Sequence, residues 1–233
     1  MKSLKIILMS IVLLLALSGG LVLADNHKGI AYEVTIQNLT GGQPFSPPII
    51  ATHKGGIRFF KVGKAASPEI QAIAENGNNA PLATVLGSSD KVSAFQEAGA
   101  PLVPSDDSVT IMITADKGAN FLSAAMMLIC TNDGFTGLDR VKLPKKGSVV
   151  HYTRGYDAGT EINTEDFVDI VPPCQGLIGV TSEDPGTGET NPALAEGEVI
   201  RHHPGIQGGV DLLPEVHGWT DPVAKITITV VAD

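Results

Sequence analysis

The chain has 233 residues, 43% hydrophobic and 18% charged, and a formal charge of −9 from 16 basic and 25 acidic side chains. Such a composition describes a globular chain long enough for one large β domain or two small ones, and excludes both disorder and a miniprotein that needs staples to form a core. No acidic residue falls within the first 24, so without Lys2 and Lys5 the remainder carries 14 basic against 25 acidic residues, a net of −11. A surface of that sign disfavours nucleic acid as a main partner and suits hard cations or basic partners.

Lys2 and Lys5 precede an apolar run from Ile6 to Leu17, and Val22-Leu23-Ala24 offers small residues for cleavage before Asp25. Residues 1–24 therefore read as a signal peptide and 25–233 as the mature chain, secreted or periplasmic, with an uncleaved membrane anchor as the other reading. Next, Ala31 to Gln37 alternates Tyr32, Val34 and Ile36 against Glu33, Thr35 and Gln37, the pattern of a half-buried strand. The same alternation recurs at Val109 to Ile113 and at Ala224 to Val230, with shorter candidates at Gly56 to Val62 and Gly147 to Tyr152. Phe121 to Cys130 is almost wholly apolar and suits a strand crossing the centre of a packed sheet.

A short helix is expected to begin at Ser67, with Pro68 and Glu69 in its first turn and Gly77 as its stop. The stretches Thr40 to Pro48, Gly176 to Asn191 and Pro204 to Gly209 read as long connections. Turn formers, 26 Gly and 15 Pro, punctuate the whole chain, which favours one β domain with elaborated loops over two domains and a linker. Cys130 and Cys174 are the only cysteines; in an exported chain they read as one disulfide, the alternative being two separate buried thiols.

Chemistry concentrates in two acidic turns. Thr131 to Asp139 carries Asp133 and Asp139 around two glycines, and Gly155 to Asn163 carries Asp157 and Glu161 around Gly159. If both turns lie at one end of a sandwich, four carboxylates approach one another and a divalent cation offsets their repulsion. An all-oxygen, flexible donor set is that of calcium, whereas zinc draws on Cys or His. Two solvated loops are the alternative. The six histidines lack ligand spacing and read as surface or loop-anchoring residues. G-x-S-x-G, H-E-x-x-H, Walker and dinucleotide patterns are absent from the sequence, so no catalytic role is expected. Paired carboxylates would also serve a carbohydrate-active or metal-assisted hydrolase, but a single Trp and 5% aromatic residues leave few rings for a sugar platform.

The run Tyr32 to Pro48, then His53, Ala74-Glu75-Asn76-Gly77, Pro81-Leu82, Asp157 to Asn163 and His217 to Ile228 resembles, in order, the spondin domain of short stand-alone prokaryotic proteins. It is similar to the N-terminal domain of the animal matrix proteins F-spondin and mindin. The resemblance implies an all-β, C2-like antiparallel sandwich with long loops and one or two short helices, acting as a secreted adhesion or binding module with calcium at one loop end. Carried across by position, Asp133 matches a retained Asp in a segment whose tryptophan is lost here. Asp139 aligns with a position acidic in some relatives, Asp157 opens the Asp-Ala-Gly-Thr motif, and Glu161 takes the place of the acidic residue after it. The expected partners are extracellular matrix or cell-surface proteins or glycans. Thr136, Phe135 and backbone groups of the first turn are expected to face such a partner; a purely structural envelope or matrix protein is the remaining alternative.

Overall fold

The computed structural model describes residues 29–231; the expected leader and its cleavage before Asp25 lie outside them. Ten strands of the described residues form two antiparallel sheets. The four-stranded sheet has the order β4-β1-β10-β7, with β1 Ile30–Asn38, β4 Ser108–Ala115, β7 Ser148–Thr153 and β10 Ala224–Val230. The six-stranded sheet has the order β3-β2-β5-β6-β8-β9, with β2 Ile49–His53, β3 Val92–Glu97, β5 Phe121–Met127, β6 Gly134–Lys142, β8 Tyr156–Asp157 and β9 Arg201–His202. The expected all-β sandwich is what the chain forms, and the strands expected from alternation are β1, β4, β7 and β10. No helix of the described residues is long and apolar enough to cross a membrane.

The main core lies between the sheets, where Tyr32, Val34 and Ile36 of β1 and Ile226 and Ile228 of β10 meet Ile50, Leu122, Ala124 and Met126. The six-stranded sheet also buries part of its other face. There Ile49, Ala51 and Ala125 pack with Ile70, Ile73 and Ala74 of helix α1 (Pro68–Asn76) and Leu82 and Leu86 of helix α2 (Ala80–Ser88). This two-sided burial explains why all five residues of β2 are buried and why β5 reads as an unbroken apolar run. Helix α1 starts and stops where its caps predict. Ser67 Oγ accepts the Ile70 N–H, and Gly77, at φ 62°, lets its own N–H and that of Asn78 turn back to Ile73 and Ala72.

Two expectations need correction. Gly56 to Val62 is irregular backbone with turns at its ends, not a strand: the Phe59 N–H is taken by the Asp139 carboxylate and not by a neighbouring strand. The segment Thr131 to Asp139 is a loop only as far as Asp133; from Gly134 it is strand β6. Helix α2 and strands β2, β3, β6, β8 and β9 were not expected from the pattern of residues alone.

Candidate functional site

The site grows from the β5–β6 connection. Leu128 and Gly134 close it through the Leu128 N–H to the Gly134 carbonyl, and Thr131 Oγ1 donates to the Leu128 carbonyl while accepting the Gly134 N–H. Gln43, fully buried, staples the same turn. Its Nε2 donates to the carbonyls of Cys130 and His217, and its Oε1 accepts the Cys130 N–H. Cys130 is bonded to Cys174 of helix α3 (Pro173–Ile178), Cα atoms 5.1 Å apart, within a small core with Ile129, Phe167, Ile170 and Leu212.

Strand β8 then brings the second turn alongside the first. Gly134 pairs with Asp157, and the Ala158 N–H donates to the Asp133 carbonyl. Gly159, at φ 69°, makes the turn: a Cβ there would stand 2.8 Å from the Glu198 carbonyl carbon. The two Asp-bearing turns therefore meet at one end of the six-stranded sheet, and both carboxylates are fully buried.

Their oxygens are unequally satisfied. Asp133 Oδ2 accepts three hydrogen bonds, from the N–H groups of Thr160 (2.7 Å) and Glu161 (3.1 Å) and from Thr160 Oγ1 (3.2 Å). Asp133 Oδ1 has no partner and no exposure to solvent. Asp157 Oδ1 accepts the Gly159 N–H at 2.8 Å, and its Oδ2 takes Asn163 Nδ2 at 2.9 Å and Arg201 Nη2 at 3.2 Å. Burial, reinforced by the negative charge of Asp157, pushes the Asp133 carboxyl up to about 6, against the pull of the Thr160 and Glu161 donors.

Glu161 is buried nearby and accepts the Asn191 N–H at 2.8 Å. Burial raises it to about 7, and Glu75, Asp133 and Asp169 push in the same direction. Asp139 stands apart. It lies further along β6, where its Oδ2 meets Arg58 Nη1 at 2.7 Å and its Oδ1 accepts the Phe59 N–H at 2.8 Å. Asp133, Asp157 and Glu161 are thus gathered at one end, and Asp139 instead anchors the turn that carries Phe59. The four-carboxylate cluster expected from sequence is not formed, because Asp139 sits within a strand and not in the loop.

Phe135 and Thr136 are fully buried, Phe135 against the rings of Phe60 and Tyr156, so neither is the partner-facing group expected of it. Three of the histidines act as anchors. His53 bridges the Lys54 carbonyl and Ser123 Oγ, His203 Nδ1 accepts the Gly205 N–H, and His217 Nδ1 accepts the Leu213 N–H. Sequence reasoning missed Arg201 and Glu196, which meet at 2.8 Å beside Asp157, and Glu75 and Asp169 beside Glu161. It also missed Asp166, Asp184 and Asp211, the one group among the described residues that brings three carboxylate oxygens within 4.8 Å of one another. No spacing rule could have found that trio, since its members come from three separate connections.

An antiparallel β-sandwich with buried acidic turns at one end and a disulfide beneath them belongs to the class of loop-presenting β modules. Within that class the Spondin_N family model matches residues 38–165, more than half of the chain, and the chain belongs to that family. No curated protein matches the sequence. Family membership supports an extracellular binding or adhesion type of module in general, and the disulfide is in keeping with an oxidising compartment.

Proposed function

We propose that the protein is an exported binding module whose acidic loop end is ordered by one calcium ion, and that the ordered loops engage a matrix or cell-surface protein or glycan. The observation that carries this reading is the buried, unpartnered Oδ1 of Asp133 beside the second buried carboxylate of Asp157. An ionised carboxylate oxygen left unpaired in the interior is costly, and a cation offsets that cost. The charged group beside it is a second carboxylate, Asp157, and an all-oxygen anionic pair suits a hard ion. Asp133 Oδ1 and the remaining lone pair of Asp157 Oδ1 would hold the ion, with Glu161 within the same acidic district. Bound calcium would supply two positive charges that fix the turns.

Binding, not hydrolysis, is the favoured use of these groups: Asp133 and Asp157 are enclosed on all sides, so the bond of an incoming substrate does not reach them. Proximity favours a second reading, in which the ion sits at Asp166, Asp184 and Asp211. There, however, the Val168 and Phe167 N–H groups already occupy one oxygen each of Asp166 and Asp211, and Asp184 is exposed. Calcium titration of the mature protein, followed by melting temperature and elemental analysis, separates the two. Asp133→Asn abolishes the calcium response on the first reading and Asp184→Asn on the second; no response in the unmodified protein removes calcium altogether.

A further inference from the structure

The four-stranded sheet ends on β7, whose outer edge no other strand of the described residues covers. The hydrogen-bond parity is set by the Val230 N–H, which donates to the Gly147 carbonyl at 2.9 Å. Antiparallel pairing then turns the backbone groups of Val149 and His151 toward β10 and those of Ser148, Val150 and Tyr152 away from it. Three residues thus offer N–H and C=O groups on an open edge. Their side chains lie on the solvent face, with Val150 44% and Tyr152 62% exposed.

Edges of this kind are ordinarily protected by a charge, a proline or a bulge. Ser148-Val-Val-His-Tyr-Thr153 has no proline and no lysine, arginine or carboxylate, and its register with β10 is unbroken. The opposite edge strand, β4, is treated differently. There Thr52 Oγ1 of β2 donates to the Thr114 carbonyl at 2.6 Å, and Ser93 Oγ of β3 accepts the Asp116 N–H at 2.8 Å.

Charge around β7 selects the occupant. Lys145 and Lys146 precede the strand with only Gly147 between, in a chain that is otherwise strongly acidic. At the other end Arg154 faces Asp221 at 3.9 Å, and these two, with Tyr152, Thr153 and Pro222, line a shallow hollow of about 370 Å³. The positive end is therefore the start of β7. An antiparallel added strand runs its carboxyl-terminal end past Lys145 and Lys146. Two copies of this chain paired edge to edge would instead bring those lysines toward the Arg154 end of the other copy, and would join two acidic bodies.

We infer that β7 accepts an extended segment of another protein by antiparallel strand addition, the segment carrying β-forming residues followed by acidic residues at its carboxyl-terminal end. The inference rests on the reading of this chain as a binding module and is independent of calcium.

The test uses an acetylated, amidated peptide Thr-Val-Thr-Val-Thr-Glu-Asp and its control Glu-Asp-Thr-Val-Thr-Val-Thr, titrated into the mature protein with calcium and with chelator while the Val150 and Tyr152 amide signals are followed by NMR. In the free protein these two amides exchange rapidly; prior protection means the edge is already covered and overturns the proposal. The first peptide should protect both amides, bind at least fivefold more tightly than the control, and weaken as salt is raised. Val150→Pro removes an outward N–H without touching the β10 ladder and should cost at least tenfold in affinity. The paired surface change Lys145→Glu with Lys146→Glu should reverse the preference between the peptides even if the proline variant does not fold. Absence of binding, or binding indifferent to both variants, overturns strand addition. A calcium response that persists in that case leaves the loop-end reading standing.

Discussion

Arg201 lies with its Nη2 3.2 Å from Asp157 Oδ2, so one of the two buried carboxylates at the loop end is in a direct ion pair while its neighbour Asp133 makes none among the described residues. The guanidinium is shared with Glu196, at 2.8 Å, which holds it beside Asp157. Asp157 is thus provided for without an ion, and the need for one falls on Asp133.

Replacing this internal cation should make the fold depend more on an added one. Arg201→Met is expected to lower stability in chelator by about 1–3 kcal/mol, less than a fully buried pair would lose because the arginine side chain is 39% exposed. Calcium should recover much of that loss. Denaturant unfolding of the variant with and without calcium measures both effects.

The raised carboxyls give the ion-free protein a defined pH response. A folded-state value above the unfolded one means that the proton binds the native state more tightly, so the associated stability is present at low pH and lost as pH rises. Asp133 loses it through about 6 and Glu161 through about 7. For Asp133 a displacement of two pH units corresponds to about 3 kcal/mol. Unfolding in chelator between pH 4 and 8 should show this decline, calcium should flatten it above pH 7, and Asp133→Asn should remove the Asp133 part while also abolishing the calcium effect.

Asp139 provides the control. Its carboxylate is committed to Arg58 and the Phe59 N–H, so Asp139→Asn should leave calcium affinity unchanged and cost about 1 kcal/mol through the weakened Phe59 turn. A calcium response lost in this variant would return Asp139 to the ion site.

The disulfide should matter more than any single hydrogen bond at the loop end. Cys130 and Cys174 are 44 residues apart, and closing a loop of that length contributes roughly 4 kcal/mol by restricting the unfolded chain. Thermal unfolding of Cys130→Ser with Cys174→Ser against the oxidised protein should show a lower midpoint by several degrees, with the loop end around Gln43 losing amide protection first.

Legibility in the sequence followed how each segment buries its faces. β1, β4 and β10 each bury one face, so their alternation was visible; β2 is buried on both sides and sits behind a proline pair, so it left no period to read. Helix α1 was found because Ser67, Pro68 and Gly77 mark its ends chemically. Helix α2 has no side-chain cap of its own at Asn79 and went unseen. At the site, the glycine-bordered acids pointed to Asp133, Asp157 and Glu161, yet the same local pattern also contained Asp139.

The order of residues alone determined that the chain builds antiparallel strands with a short capped helix and two acid-rich turns, because periodicity and capping act over a few neighbouring positions. Only the tertiary structure decided which acids share a space. Strand β6 carries Asp139 away from the turn, the β6–β8 register sets Asp157 beside Asp133, and Arg201 arrives 44 positions after the Asp it neutralises. Those outcomes depend on pairing between distant segments, which local pattern does not encode, and among the described residues they leave a single carboxylate oxygen, Asp133 Oδ1, buried without a hydrogen-bond partner.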